Sequence, residues 1–559
     1  MCRRPRRNIG NGRIGRAGLV FGAVQTFLYS ACADSRLNVM KKVLVLKNAY
    51  FDSAFLMLVS KSVKQMAGIL DAALVMATEV NLGILREIGL LEDQELSASP
   101  NDLIIALQGK SEKALEQALR SAGDLLHKRK TRIEEKEEYR PVSLEGAIKM
   151  MPDANLAIIS VPGMYAVREA RKALHAGLHV MLFSDHVALE DEIALKKLAG
   201  RKGLLMMGPD CGTALINGKP LCFANVVRRG NIGVVAASGS GLQELTCLIH
   251  HFGAGISQAI GTGGRDLRKE VGGLAMLTGV EALKADPSTN VIVVVSKPPA
   301  GQVARKVLSR LRQTGKPFVV HFVGLKALPA SERSHFTGDL EETAAMAAAL
   351  SKGQRYRRHP TSLRGWDRIA RQETRTMARK QKYLRGLYTG GTLADEAMML
   401  FERHGVDIHS NIHIVPARVL RDPFTSVRHT IVDLGDDRFT AGRPHPMIDP
   451  SIRAERLAKE MEDPEVACLL LDFVLGYGAH DDPCGSILRS LKQAKSKAMK
   501  RGGSLPVVTS VTGTEGDAQN REKQRKKLES TGCIVMPSNA QAALLALQII
   551  RKAARHDKG

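Results

Sequence analysis

The chain has 559 residues, 44% hydrophobic and 25% charged, ordinary soluble values that call for three or four domains with sizeable cores. Its net charge of +24 invites a nucleic-acid reading, yet aromatics make up only 4% with one tryptophan, too few for a base-stacking surface. Residues 1–39 (seven Arg, one Asp) and 351–386 (twelve basic, two acidic) supply +16 of that charge, so it reads as two solvated segments, and nucleic-acid binding is not expected.

Residues 1–39 join an Arg-rich stretch to a short apolar run, GLVFGAVQTFLYSAC, with a faint likeness to a secretory or lipoprotein signal. Met40-Lys41-Lys42-Val43-Leu44 reads instead as a natural start running straight into a strand, with 1–39 a disordered basic extension. No stretch approaches 18 apolar residues, so no membrane helix is expected. The eight cysteines are scattered, none as CxxC, which fits free thiols in the cytoplasm and gives no metal site.

From 40 to 128 short apolar runs (VLVL, DAALVMA, DLIIALQ) alternate with segments apolar at three-and-four spacing, predicting a small α/β domain for which a ferredoxin-like arrangement is one reading. Lys47, Asn48, Asp52 and Ser53 cluster at its first strand end. After the charged break KRKTRIEEKEE, LAIISV, HVMLFS and GLLMMGP interleave with helices over 139–229, which predicts a parallel, Rossmann-like sheet. A second α/β unit spans 230–350. The basic stretch 351–386 reads as a linker, and a third unit spans 387–559. These last two look flavodoxin-like and echo each other, as a diverged internal duplication would.

Ligands of open parallel sheets bind beyond the carboxyl ends of the strands. Two successive strands end in Ser238-Gly239-Ser240-Gly241 and Gly261-Thr262-Gly263-Gly264-Arg265, and the third unit repeats the device with Thr389-Gly390-Gly391-Thr392. Glycines admit close backbone approach, and the helix N-termini that follow supply free N–H groups and positive dipole ends, so these turns are candidate phosphate sites. The turns at 238–241 and 389–392 are expected to share one anion, which a separation beyond about 15 Å would rule out. Asp433 and Asp436, with Arg443 and His445, follow a later strand; Arg443 is a candidate carboxylate clamp and His445 a candidate acid or base. Asp185, His186 and Asp210 also stand at strand ends, where capping serves as well as substrate contact.

These stretches resemble the FdrA family, whose members are built like succinyl-CoA synthetase. NLAIISVPGMYAVREARKALHAGLHVML and MGPDCGTALINGKPL resemble the CoA-binding domain of the synthetase α subunit. RRGNIGVVAASGSGLQEL and IGTGGRD resemble its ligase domain, and LYTGGTLADEA with PVVTSVTGTEGDAQNREKQRKKLESTGCIVM the C-terminal domain of the β subunit; DRFTAGRPHPMIDP is a further distinctive stretch. The synthetase carries a phosphorylated histidine in a Gly-His-Ala context, whereas GLKALPASERSHFTGD here offers only His335, read as an exposed loop residue. The ATP-grasp module is missing, and no standard glycine-rich CoA turn is recognisable. The resemblance therefore implies phosphate as a substrate, no required cofactor, and CoA binding left open. It implies a subunit of oxamate carbamoyltransferase, converting oxalurate and phosphate to oxamate and carbamoyl phosphate in allantoin breakdown, hetero-oligomeric with other transferase subunits. A CoA ligase working with an ATP-grasp partner, and a non-catalytic scaffold, are the alternatives.

Overall fold

The computed structural model describes residues 39–49, 51, 53–92, 96–134, 141–324, 333–356, 366–440 and 443–556. Two compact units divide the chain, residues 1–139 and 140–559. The extension read over 1–39 lies, but for its last residue, outside the described residues.

The first unit runs β1 (Met40–Leu46), α1 (Ser53–Lys64), β2 (Ile69–Met76), α2 (Glu79–Glu87), β3 (Leu103–Gly109) and α3 (Glu112–Glu134). β3 lies between β1 and β2 and pairs antiparallel with both, from Met40 opposite Gly109 to Leu46 opposite Leu103. Alternation divides its side chains: Leu103, Ile105 and Leu107 join Leu56, Val63 and Leu115 on one face, while Ile104 and Ala106 join Val45, Leu85 and Leu90 on the other. The strand order is that of a ferredoxin-like βαββα arrangement with α2 inserted. Lys47 and Asn48 serve this sheet: Lys47 Nζ (3.1 Å) and the Asn48 N–H (2.8 Å) hold buried Asp102. Burial acts to raise the Asp102 pKa, but hydrogen bonds from Ser99 and Asn48 and from the Lys47 ammonium outweigh it and hold the pKa at about 2.

The second unit opens with α4 (Leu144–Met150), β4 (Leu156–Ile159), α5 (Gly163–His175), β5 (His179–Leu182), α6 (Leu189–Arg201) and β6 (Met206–Met207), a three-stranded parallel sheet in the order β4-β5-β6. β7 (Thr213–Ile216) and β8 (Lys219–Cys222) then form a hairpin about Asn217 and Gly218, both at positive φ as a tight hairpin turn requires. That hairpin leaves the segment read as the Rossmann-like domain and pairs, through β7, with the next sheet. There β9 (Arg229–Ala237), α7 (Gly239–His251), β10 (Ile256–Gly261), α8 (Leu274–Ala285), β11 (Val291–Ser296), α9 (Gly301–Arg312), β12 (Phe318–Phe322), β13 (Ser334–Phe336) and α10 (Leu340–Ser351) follow. The seven strands lie in the order β13-β12-β11-β9-β10-β7-β8.

The stretch read as a solvated linker, 351–386, needs correcting. Part of it, 357–365, lies outside the described residues, but α11 covers Asp367–Thr374, buries Ala370 and Thr374, and sits with Trp366 against the shared core. Its charges ride on the outer face of an amphipathic helix. β14 (Tyr383–Tyr388), α12 (Gly391–Arg403), β15 (Thr430–Asp433), α13 (Asp437–Thr440), α14 (Ser451–Glu460), β16 (Val466–Val474), α15 (Leu488–Lys500), β17 (Val507–Thr512), α16 (Arg521–Glu529), β18 (Ile534–Met536) and α17 (Asn539–His556) complete a parallel sheet in the order β15-β14-β16-β17-β18. One continuous core, from Val234 and Leu245 to Leu393, Leu470 and Leu545, runs through both sheets' facing layers. Buried Asn539 stitches the seam, donating from its backbone to Glu244 (3.1 Å) and from its amide to Glu396 (2.7 Å).

Candidate functional site

The two glycine and hydroxyl turns that open α7 and α12 meet. Ser238 caps α7 by accepting the Gly241 N–H (2.9 Å) and donates its hydroxyl to Thr392 Oγ1 (2.7 Å), the second residue of α12. Contact is close enough that a Cβ on Gly390 would lie 2.8 Å from Ser240 Cβ, and one on Gly241 would lie 2.9 Å from Thr392 Cγ2. Both helix N-termini therefore converge from the two sheets.

The α12 turn is braced from below. Asp472, alone among apolar residues in β16, accepts the N–H groups of Thr389 and Gly390 (both 2.8 Å) and is paired with Arg453 (2.8 Å), all of it buried. Burial pushes the Asp472 pKa up, against the pull of Arg453 and of those N–H donors.

Charge gathers at the mouth of this junction. Lys297, the first residue beyond β11, lies 3.5 Å from Asp395 on α12, their side chains 39% and 13% exposed. Asp433, at the end of β15, accepts the Gly435 N–H at Oδ1 (2.9 Å), and Asn411 pins its backbone from both sides (2.9 Å each). Its other oxygen stands against the start of α12: a Cβ on Gly391 would lie 2.5 Å from Asp433 Oδ2 and 3.4 Å from Lys297 Nζ. Burial pushes the Asp433 pKa up to about 7 in spite of Lys297 and the Gly435 N–H, with Asp395 and Asp436 adding to the rise. Burial likewise lifts Asp210 to about 6, opposed by Lys297 and reinforced by Asp185 and Asp437. For Lys297 burial acts downward, but Asp395, Asp433 and Asp210 outweigh it and leave the ammonium above its ordinary value.

The other expected site residues have partners of their own. The 261–265 turn is packed shut by backbone: Cβ atoms on Gly261 and Gly263 would lie 2.4 and 2.2 Å from the carbonyl oxygens of Thr213 and Pro209. Thr262 is fully buried, and its carbonyl accepts Lys196 (3.0 Å). Arg265 pairs with Glu192 (2.9 Å) and donates to the Val187 carbonyl (2.8 Å), and Gly264 lies beside Asp210. Asp436 pairs with Arg438 (2.8 Å) and Arg443 with exposed Glu455 (2.7 Å).

His445 does reach the cleft wall, its Nε2 against Gly435 and its ring 6.4 Å from that of Phe223. Burial, with Arg453 assisting, lowers its pKa to about 4, and its Nδ1 accepts the Met447 N–H (3.2 Å). At neutral pH it is thus a neutral ring with its lone pair engaged, which suits a donor at Nε2 rather than a base. His335 is not an exposed loop residue: it sits half-buried on β13 in register with Val319, level with Val234 and three strands away. That is roughly 13 Å back from Ser238 along the strand and roughly 14 Å across the sheet. Asp52 and Gly442 lie outside the described residues.

Sequence reading missed Lys297, Asp395, Asp472 and Arg453. Lys297 and Asp472 left signals, a charge directly after VIVVVS and a lone carboxylate in CLLLDFV. Arg453 left none.

Two groups among the described residues bring potential metal-binding atoms within 4.8 Å of one another: Asp185, His186 and Asp437, all exposed, and His250, His251 and Glu515. In the second, His250 Nδ1 already accepts the Arg228 N–H (3.0 Å), which leaves its other nitrogen protonated. A separate cavity of about 780 Å³ lies along α5, with Met164 and Val167 beside Arg168, Arg171 and His175. No helix among the described residues is long and apolar enough to cross a membrane.

The scaffold is a multidomain α/β fold with CoA-ligase-like and CoA-binding domains: residues 387–549 match the CoA-ligase family and 227–324 the CoA-binding domain, the latter overlapping the unit likened above to the synthetase's ligase domain. Residues 40–141 match a domain described as AllF, heavy metal-associated. Soft metals are held chiefly by thiolate and imidazole, with thioether as a weaker ligand. This segment has no cysteine, one histidine, His127, and four methionines spread from Met40 to Met76, so it lacks the thiolate set such an ion needs. The uncharacterized protein YahF of Escherichia coli K12 is 46% identical over 513 residues, 91% of this chain and 99% of that one. The chain belongs to the FdrA family. The α subunit of succinate–CoA ligase [ADP-forming] from Methanothermobacter thermautotrophicus is 25% identical over 201 residues, 35% of this chain and 67% of that one. Among solved structures, a dinucleotide-forming acetyl-coenzyme A synthetase of Ca. Korarchaeum cryptofilum is 17% identical, covering 72% of this chain and 84% of its own, with a TM-score of 0.29.

Proposed function

We propose that the chain is the oxyanion-handling subunit of a carbamoyl-transferring enzyme, acting on oxalurate and phosphate to give oxamate and carbamoyl phosphate. The observation that carries this reading is the meeting of two helix N-termini, Ser238 against Thr392, beside Lys297, with His335 three strands away and His445 at the wall held as a neutral ring. Such a junction suits a free oxyanion better than a protein-bound phosphoryl group. A phosphate oxygen attacks the carbamoyl carbon of oxalurate, the C–N bond to the oxamate nitrogen breaks, and that nitrogen takes a proton. N–H groups at the helix ends and Lys297 hold the dianion and the oxyanion that develops on the carbonyl.

The test is the chain reconstituted with its partner subunits and given oxalurate and phosphate. Carbamoyl phosphate and oxamate in equal amounts support the reading; nucleotide-dependent thioester formation sinks it. Gly239→Asp is the cleanest probe, because the nearest atom to a Cβ there is Thr213 Oγ1 at 3.7 Å. It should abolish phosphate binding and leave the fold intact, whereas Gly391→Asp would drive into Asp433. No acid-labile label should appear on His335 from nucleotide. The match of 227–324 to the CoA-binding domain favours a second reading, an acyl-CoA ligase-like subunit, for which the mixed apolar and cationic cavity along α5 suits an amphipathic anion.

A further inference from the structure

The junction has a charge problem. Its mouth holds Lys297 against three carboxylates, Asp395, Asp433 and Asp210, with Asp436 behind them paired to Arg438. Adding a dianion there requires compensation, because a like charge within hydrogen-bond reach in a partly desolvated cleft is strongly repelled. One carboxyl is placed to supply it. Asp433 is 7% exposed, Asn411 fixes its backbone, and Gly435 holds Oδ1. Its Oδ2 receives no hydrogen bond from the described residues and faces the first residue of α12, beside Lys297.

We infer that an oxyanion enters the junction together with a proton held on Asp433 Oδ2, so that Asp433 meets the ligand as a carboxylic acid donating a hydrogen bond. This rests on the reading that an oxyanion binds at the junction. Protonation removes the nearest negative charge from the helix mouth and turns a repelling oxygen into a donor; Lys297 then faces the anion with one competitor fewer.

The groups around Asp433 agree with this. From the end of β11 comes Lys297, from α12 Asp395 and the positive end of the helix itself, from the following turn Asp436 and the Gly435 N–H, and from the wall beyond it His445, neutral and carrying its proton on Nε2. Asp210 faces Lys297 from the other side. Burial already places the Asp433 carboxyl near neutrality, at about 7, so the proton is available at physiological pH.

Sulfate tests this, since it stays dianionic across the range in which phosphate itself titrates. Calorimetry on the full-length chain at pH 6 and pH 8 should show sulfate binding weaken by about tenfold, the limit for one linked proton passing through a pKa near 7. At pH 8, binding in buffers of low and high ionisation enthalpy should show close to one proton taken up, a measurement that needs no variant. Asp433→Asn should bind as tightly at pH 8 as at pH 6, to within about threefold, and Asp436→Asn should keep the wild-type dependence. Equal wild-type affinity at both pH values with no proton uptake overturns the inference and leaves the oxyanion site standing. Binding that needs Mg²⁺ and takes up no proton overturns it in favour of a cation as the compensating charge. If neither sulfate nor phosphate binds at either pH, with or without Mg²⁺, the inference fails and the proposed function fails with it.

Discussion

The turns at 261–266 and 389–392 look alike in the sequence and do opposite things in the structure. Both end a buried strand in threonine and glycine. At 261–266 the glycines let backbone meet backbone: Gly263, at φ +85°, runs past the Pro209 carbonyl, and Asp266 turns inward to accept Lys196 and the N–H groups of Ala275 and Met276. Every partner there is internal. At 389–392 the internal partner is Asp472, which takes the first two N–H groups and leaves the start of α12 turned toward Ser238, Asp433 and Lys297. A glycine marks a close approach; whether backbone or ligand is what approaches depends on the neighbouring strand.

The largest expected effect breaks the internal brace of the second turn. Asp472→Ala would strand Arg453, 3% exposed, without its carboxylate and release Thr389 and Gly390. Removing one partner of a buried ion pair costs about 3–5 kcal/mol. Denaturant titration followed by far-ultraviolet circular dichroism should show that loss, and a loss under about 1 kcal/mol would mean that Asp472 is no brace.

Next comes the contrast between glycines. Gly263→Ala combines a left-handed backbone with a Cβ 2.2 Å from a carbonyl oxygen, so it should cost roughly 2–4 kcal/mol without bearing on any anion. Gly239→Ala puts its Cβ 3.7 Å from Thr213 Oγ1, an ordinary contact, and should stay within about 0.5–1 kcal/mol of the parent. Similar melting temperatures for the two would erase the distinction drawn between the turns.

A smaller effect concerns Asp433 and pH. Its pKa is raised from 3.8 to about 7, so the stability it contributes is fully present below the unfolded value and is lost as pH rises from about 4 through 7. Asp433→Asn carries no such titration. Its melting temperature relative to wild type should therefore climb between pH 5 and pH 8, by about 1 °C for each kcal/mol relieved in a unit of this size. A constant difference across that range would show that burial does not strain this carboxyl.

Much of the scaffold was legible because buried parallel strands and amphipathic helices write their periods directly into the chain, as VIVVVS and GQVARKVLSRLR do. The junction was legible too, since glycine and hydroxyl residues at a strand end announce a helix N-terminus. Its electrostatics were not. Lys297 and Asp433 are 136 positions apart and meet only through the packing of two sheets, and Arg443, a plausible clamp by type, is spent on Glu455 twelve residues on. Charge density hid α11 in the same way: a helix whose outer face is arginine reads as a linker until Ala370 and Thr374 are seen beneath it.

The smallest effect tests the contact that joins the two helix ends. Ser238 does two things with one oxygen, capping α7 through Gly241 and donating to Thr392. Ser238→Ala should cost about 1–2 kcal/mol, most of it the cap, because losing an N-cap serine alone is worth about that much. Thr392→Val keeps the shape and removes only the acceptor, so it should cost about 0.5–1.5 kcal/mol. The two are neighbours, and the double variant should therefore cost less than the separate losses together, by a coupling of about 0.5–1 kcal/mol. Strict additivity would mean that the hydroxyls do not hold each other, and the two helix ends would then be adjacent without being fastened.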